Sequence, residues 1–175
     1  MAQAILPRPL KNRSPEAANV NDSASRAQAS GSRNHMRYYE YRHVVTFEEI
    51  NLVGNVYYTH HLSWQGECRE LFLREHVPDI IAELAGALSL ATVRCSCEYL
   101  TELTVFDEVI VRMKLAALVQ NRITLGFEYW RNKDGSEELV ARGEQQVACM
   151  KREGAQLEPA PVPDSLRNAL ASYAD

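Results

Sequence analysis

The sequence predicts a single α+β domain in which one long helix packs against an antiparallel sheet of about five strands. Residues 58–75 have helical periodicity, and the segments on either side are rich in β-branched and aromatic residues. One such segment precedes the helix and four follow it. A helix in this position buries its apolar face best against the concave side of the sheet. At 175 residues the chain is long enough for one domain with a hydrophobic core.

The first part of the chain is predicted to stay outside this domain. Residues 1–36 are rich in Ala, Ser and Asn and lack sustained periodicity, so they bury too little apolar area to offset the entropy of ordering. The run 31–36 resembles a cloning junction, with Met36 a candidate native start. We divide the chain into a disordered extension over 1–36, a folded domain over 37–155 and a proline-rich segment with a short helix over 156–175.

The first half of the domain is predicted to run from strand to loop to helix. Residues 37–47 are dense in aromatic and β-branched residues and predict a strand, and residues 48–57 predict a loop that turns at Gly54. The helix over 58–75 is indicated by apolar residues at helical spacing: Leu62, Trp64, Cys68, Leu71 and Phe72. Pro78 ends this helix.

The second half is predicted to consist mainly of strands. A short helix is expected over 79–84, and the turn sequence at 132–135 predicts a hairpin. Asp164 is expected to cap a terminal helix. The expected strands are 88–100, 108–118, 122–130 and 138–150. The order of elements predicts the hotdog fold, whose open sheet edges favour pairing with a second copy.

Composition excludes several classes of function. The chain has 19 Lys and Arg against 23 Asp and Glu, so a nucleic-acid partner is not expected. No apolar run reaches the roughly 20 residues needed to cross a membrane, and no secretory signal is visible, so we expect a cytoplasmic protein. The four cysteines fit neither a disulfide framework nor a zinc site. We expect buried structural thiols, no metal and no cofactor; the cysteines are Cys68, Cys95, Cys97 and Cys149.

One face of the predicted helix carries polar residues in a line. Tyr58, His61, Gln65 and Arg69 follow one another at spacings of three, four and four residues. We call these four residues the polar stripe. A mostly buried helix seldom has such a stripe unless something polar lies opposite. Asn51 is a candidate, because the turn at Gly54 can bring it back to the first turn of the helix.

The start of the helix can stabilise an oxyanion. The backbone N–H of Tyr58 lacks a helical partner and lies where the macrodipole favours negative charge. Removing such a donor typically costs about 3 kcal/mol of transition-state stabilisation. Each residue also has a simpler interpretation. Asn51 can be a turn residue, Arg69 a surface ion-pair partner and His61 a core histidine. Tyr57 and Tyr58 can be packing aromatics.

The pattern Asn51-x-x-Gly54-x-Val56-x-Tyr58, followed by Trp64 and Arg69, resembles the 4-hydroxybenzoyl-coenzyme A thioesterase family of hotdog proteins. The resemblance covers residues 38–150 and implies hydrolysis of an acyl thioester. An aspartate usually opens the motif where this chain has Asn51. Many relatives carry a helix glutamate near the position of Gln65. Both departures replace a carboxylate with a neutral amide.

Residues 39–69 resemble one branch of that family, the thioesterases of enediyne polyketide (antibiotic) biosynthesis. This resemblance implies release of a long polyene, as a β-keto acyl thioester, from the acyl carrier protein of an iterative polyketide synthase. Asn51 and Arg69 carry over as the key polar residues. A thiolate leaves easily because its conjugate acid has a pKa of roughly 8 to 9, so positioning and electrostatics suffice. Arg69 can assist decarboxylation of a β-keto acid product.

The substrate is expected to contact further polar residues. Tyr57, His61 and Gln65 are candidate binding residues, and Thr92 is a possible polar contact on a wall formed by residues 88–93. The expected assembly is a dimer, with a dimer of dimers as the larger form.

Two other functions stay open. One is a coenzyme A thioesterase for short or aromatic acyl groups, and the other is a non-catalytic acyl-binding module. A hotdog hydratase is disfavoured because no Asp-x-x-His pair lies at the expected loop.

Overall fold

A computed structural model describes residues 37–174, so the disordered extension predicted for 1–36 lies outside the described residues. The helices are α1 (Thr59–His76), α2 (Pro78–Leu84) and α3 (Asp164–Ala171). The strands are β1 (Tyr39–Val44), β2 (Leu88–Tyr99), β3 (Glu108–Val119), β4 (Arg122–Lys133), β5 (Ser136–Glu153) and β6 (Gln156–Pro159). Within residues 37–174, no helix is both long and apolar enough to cross a membrane.

The strands form one antiparallel sheet in the order β1-β3-β4-β5-β2, and β6 pairs with the end of β5. Strand β2 therefore crosses over to pair with β5 rather than with β3, its neighbour in sequence. Its other edge is the border of the sheet. The predicted α+β class and the sheet of about five strands are confirmed.

Helix α1 packs against the sheet through the apolar positions that the sequence indicated. Trp64, Cys68 and Phe72, four residues apart, are at most 1% exposed. The Cys68 thiol lies 4.0 Å from the Val111 carbonyl of β3. The Tyr129 hydroxyl of β4 donates to the His61 carbonyl at 2.7 Å. These contacts fix the amino-terminal half of α1 over the middle of the sheet, as in a hotdog fold.

The first strand is shorter than predicted. It ends at Val44, and a single turn of 3₁₀ helix, Phe47–Glu49, occupies the end of the expected strand. The turn forms because the Glu49 carboxylate accepts the Thr46 backbone N–H at 2.7 Å, an arrangement typical of a helix start.

Two details at the carboxyl end also differ from the expectation. Asp164 does not cap α3, because Pro163 occupies the capping position and the Asp164 side chain is 96% exposed. Strand β6 was not predicted, since its four residues are all exposed and show no alternation. Helix α3 nevertheless buries Leu166 and Leu170 in the common core.

Candidate active site

A cavity of about 500 Å³ lies at the amino end of α1, at the predicted site. The loop after the 3₁₀ turn, the first turn of α1 and the end of β2 form its walls. Four predicted residues meet there, together with residues that were not predicted. The lining includes Asn51, Tyr57, Tyr58, His61, Tyr99 and Leu103. The structure thus brings Asn51 to the first turn of the helix.

Asn51 is both a turn residue and a cavity residue. Its side-chain oxygen accepts the backbone N–H groups of Val53 at 3.0 Å and Asn55 at 3.2 Å. Gly54 supplies the left-handed backbone of this turn, with φ +92°. The two donors fix which side of the amide carries the oxygen. None of the hydrogen bonds among residues 37–174 uses the Asn51 Nδ2 group, which is left as a donor.

Tyr58 immediately precedes α1, so the helix begins one residue later than predicted. Within the described residues, no hydrogen bond uses its backbone N–H. Its carbonyl accepts the Tyr99 hydroxyl of β2 at 3.0 Å. The rings of Tyr57 and Tyr58 lie 4.6 Å apart, and both side chains are about half exposed at the cavity.

His61 is 3% exposed and lies among aromatic rings. Its ring centroid is 4.9 Å from that of Trp64, 5.0 Å from Tyr99 and 5.4 Å from Tyr129. Neither ring nitrogen has a hydrogen-bond partner among the described residues. Burial, and secondarily the neighbouring charge of His60, lowers the pKa of His61 to about 4. The imidazole is therefore neutral at pH 7.

Gln65 is fully buried one turn further along the polar stripe. Its Nε2 donates to the Ser96 carbonyl of β2 at 3.0 Å, and its Oε1 lacks a partner within residues 37–174. The amide rests on Gly143 of β5, where a Cβ atom would overlap the amide nitrogen. Position 143 thus has to be glycine for the Gln65 side chain to lie flat between helix and sheet.

Arg69 faces the same two strands but lines a separate, very small cavity of about 10 Å³. Its guanidinium donates to the Gln145 side chain at 2.9 Å and to the Thr92 hydroxyl at 3.4 Å. It also lies 4.0 Å from the Glu70 carboxylate. Burial lowers the pKa of Arg69, which the charge of Glu70 partly offsets. Thr92 thus contacts Arg69 and does not line the cavity that Asn51 and Tyr58 share; its expected contact with the substrate stays a prediction.

Asn51 and Arg69 do not meet within one chain. An α-helix rises about 1.5 Å per residue, so Arg69 lies roughly 16 Å along the axis from Tyr58. Asn51 shares its cavity with Tyr58 and His61, whereas Arg69 shares its own with apolar residues of the core. A single copy therefore presents the amide and the guanidinium in two places.

Three residues around the site were missed from the sequence. Glu49 carries a buried carboxylate, Tyr99 contacts Tyr58, and Gln145 holds Arg69. Glu49 had a signal, since Thr46-x-x-Glu49 has the spacing of a capping box. Tyr99 and Gln145 gave no such signal, because their contacts depend on how the sheet packs against α1 and the residue before it.

Within residues 37–174, no cluster of three or more His, Cys, Asp or Glu side chains has the geometry to hold a metal ion. Cys68 and Cys149 are buried as expected, and Cys97 is partly buried. Cys95 is exposed, contrary to the expectation, because it lies on the edge strand β2.

Comparisons with known proteins agree with this fold. The model of the thioesterase-like superfamily matches residues 45–170. A crystal structure of the dynemicin thioesterase, determined in a study of polyene binding, is 52% identical in sequence, with a TM-score of 0.77. The match covers 79% of this chain and 99% of that chain. A search of curated protein sequences gave no match.

More distant structures share the fold. A 1,4-dihydroxy-2-naphthoyl-CoA thioesterase from Synechocystis is 20% identical with a TM-score of 0.67, over 77% of this chain and 96% of that one. A 4-hydroxybenzoyl-CoA thioesterase is 16% identical with the same TM-score, over 77% and 99%. The family match spans most of the described domain and includes the cavity at the amino end of α1. The chain therefore belongs to the thioesterase-like superfamily, as a thioester hydrolase with the hotdog fold.

Proposed function

We propose that the protein hydrolyses a polyene acyl thioester carried by the acyl carrier protein of an iterative enediyne polyketide synthase, with a β-keto acyl chain as the substrate. The observation that carries this proposal is the pair of donors at the cavity, the Asn51 side-chain amide and the Tyr58 backbone N–H. The 52% identity to a thioesterase studied for polyene binding supports the substrate class.

The two donors fit the needs of a thioester carbonyl. Both belong to residues that line the 500 Å³ cavity, and no hydrogen bond among residues 37–174 uses either donor. Asn51 cannot take up a proton at neutral pH, so its amide serves to hold a carbonyl oxygen or a water. The amino end of α1 adds its partial positive charge at the same place. Together they stabilise the oxyanion that forms when water attacks.

The chemistry needs no strong base. The water oxygen bonds to the carbonyl carbon, the carbon–sulfur bond breaks, and the departing thiolate takes the proton that the water gives up. A thiolate is a good leaving group because its conjugate acid has a pKa of about 8 to 9. A β-keto acid formed in this way readily loses carbon dioxide. The half-exposed rings of Tyr57, Tyr58 and Tyr99 offer apolar faces to a conjugated chain.

Arg69 enters the site if two copies pair through β2. This strand has a free edge of twelve residues, with Val93 and Tyr99 about half exposed. A two-fold axis through such an edge pairs the two β2 strands antiparallel. It also sets the two α1 helices antiparallel, so that the later turns of one helix lie towards the start of the other. Arg69 of a second copy would then approach the Asn51 cavity.

The direct test is a substrate panel. The purified protein is mixed with the synthase loaded with its polyene, and the released material is identified by mass spectrometry. Short, aromatic and long-chain acyl-coenzyme A thioesters are assayed in parallel. We expect release of a polyene acid or its decarboxylated ketone, with slow turnover of short acyl groups. Fast turnover of short or aromatic acyl-coenzyme A, without polyene release, would assign the protein to the coenzyme A thioesterases instead.

A further inference from the structure

Glu49 carries a buried carboxylate that is surrounded by donors. The residue is 6% exposed, yet both carboxylate oxygens are fully used. Glu49 Oε1 accepts the Trp64 indole N–H of α1 at 2.9 Å. His43 Nε2 of β1 lies 2.8 Å from the same oxygen and 2.9 Å from Oε2. Oε2 accepts the Thr46 backbone N–H at 2.7 Å and the Thr46 hydroxyl at 3.0 Å. This set of donors stabilises the ionised form.

These contacts make Glu49 unsuited to act as a base. Burial by itself raises the pKa of Glu49, but the Thr46 N–H, His43 and Trp64 outweigh it and hold the pKa below its usual value. Glu49 does not line the cavity that Asn51 and Tyr58 share. The carboxylate therefore acts on the site through the backbone rather than on a substrate.

The backbone of Glu49 leads directly to the oxyanion donors. Its carbonyl accepts the Tyr57 N–H at 2.8 Å, and Tyr57 immediately precedes Tyr58. Ile50 forms a bridge with Val56, which closes the loop that carries Asn51. Residue 49 is thus the root of the 51–57 loop. Its side chain fixes that root to α1 and β1 at the same time.

The hydrogen bonds continue beyond Glu49 and return to α1. The Tyr41 hydroxyl donates to the Glu67 carboxylate at 2.6 Å, and it lies 3.2 Å from His43 Nδ1. Through His43, the Tyr41 hydroxyl thus links the Glu49 carboxylate to Glu67. The chain of contacts begins at Trp64 and ends at Glu67, so it clamps one segment of α1 against β1 and the loop root.

We infer that Glu49 is a positioning residue for thioester hydrolysis, which holds the Asn51 amide and the Tyr58 N–H at a fixed separation over the start of α1. This inference rests on the proposed function. Glu49 acts through Asn51, so its contribution depends on the Asn51 side chain being present. A fixed core contact that only stabilised the fold would not show this dependence.

The test is a double-mutant cycle with Glu49→Gln and Asn51→Ala, assayed on the thioester that the wild type hydrolyses fastest. Since small displacements of catalytic groups are costly, we expect Glu49→Gln to lower kcat about 10- to 100-fold with little change in KM. In the Asn51→Ala background the same change should lower kcat less than about twofold. An equal factor in both backgrounds, or no effect in either, overturns the inference.

Matched variants keep this test informative. Glu48→Gln changes the exposed neighbouring glutamate of the same turn and should leave kcat unchanged. Thr46→Val removes a single hydrogen bond to Glu49 and serves if Glu49→Gln folds poorly; it should lower kcat modestly, and only when Asn51 is present. A Thr46→Val effect that is equal in both backgrounds counts against the inference.

A measurement without substrate separates this inference from the proposed function. Hydrogen exchange of the Asn55 and Tyr57 amides should be faster in Glu49→Gln than in the wild type and in Glu48→Gln. Unchanged exchange overturns the role of Glu49, whatever the activity. A wild type that hydrolyses no thioester removes the proposed function, while faster exchange would still show that Glu49 holds the loop.

Discussion

The side-chain oxygen of Asn51 accepts the backbone N–H of Val53 at 3.0 Å, and this contact decides which half of the amide faces a ligand. The oxygen also accepts the Asn55 N–H. The side chain is therefore a donor at the cavity, whereas the aspartate usual at this position in the 4-hydroxybenzoyl-coenzyme A family would be an acceptor. The same turn accommodates both residues, but the two give the cavity opposite hydrogen-bonding character.

Asn51→Asp should keep the turn and impair catalysis. An aspartate oxygen can accept the same two N–H groups, so the melting temperature should change by only a few degrees. The second oxygen would place negative charge near the developing oxyanion, and kcat should fall by more than the roughly 100-fold typical of losing an oxyanion donor. Asn51→Ala loses the donor without adding charge, so its kcat should fall less than that of Asn51→Asp. Equal or higher activity in Asn51→Asp would show that residue 51 serves as a base.

Gly143→Ala should disturb the polar stripe from the opposite side. A methyl group there overlaps the Gln65 amide, which must then leave the Ser96 carbonyl. We expect about 1 to 3 kcal/mol of destabilisation, as for overpacking of a core, together with lower activity. Gly126→Ala on β4 is the matched control, because its nearest contacts are 3.6 Å away in the flexible Lys114 side chain. Urea denaturation of both variants measures the difference; equal effects would remove the role assigned to Gly143.

Mixing two inactive variants tests whether the site is shared between copies. Asn51→Ala and Arg69→Ala should each lose most of their activity. If Arg69 serves the cavity of its partner, each mixed dimer has one intact site, and random pairing should recover about a quarter of wild-type activity. If both residues serve their own chain, co-expression recovers nothing. Sedimentation of the mixture confirms that dimers form and distinguishes them from a dimer of dimers.

His61 should make the fold sensitive to acid. Its pKa is about 4 in the folded chain and about 6.5 in a model compound. The unfolded chain therefore binds the proton first, and stability falls as the pH drops from 6.5 towards 4. At one pKa unit per 1.36 kcal/mol, the loss by pH 4.5 is about 2 to 3 kcal/mol.

His61→Phe should reduce this loss, because an apolar ring fits among the three aromatic neighbours and does not titrate. Urea denaturation at pH 7 and pH 4.5 measures the loss of stability in the wild type and in His61→Phe. His60→Gln, at the half-buried neighbour, should retain most of the wild-type dependence. An equally steep loss in His61→Phe would mean that other groups govern acid unfolding.

Local patterns predicted most of the elements but not their long-range pairing. Alternation along 122–130, and the helical spacing of Trp64, Cys68 and Phe72, placed β4 and α1 within a few residues of their bounds. The pairing of β2 with β5 joins residues some fifty positions apart, and Arg69 of α1 contacts one residue of each strand, Thr92 and Gln145. The polar stripe could be predicted, but what lies opposite it could not.

The site, too, could be predicted only where its residues are close in sequence. Asn51, Tyr57, Tyr58 and His61 meet because they are close in sequence, whereas Arg69 is separated from them by more than two turns of rigid helix. Glu49 was missed because its partners His43 and Trp64 lie on two different elements. The prediction that Asp164 caps α3 was wrong because the helix begins at Asp164 itself, which makes Pro163 the capping residue.

The turn at Asn51 has a consequence for how such enzymes diverge. Codons for asparagine and aspartate differ at a single base, and the backbone donors of Val53 and Asn55 accept the oxygen of either side chain. A lineage can therefore exchange a carboxylate for an amide here in one mutational step, with the surrounding loop left intact. Selection on substrate, rather than on folding, would then decide which residue persists.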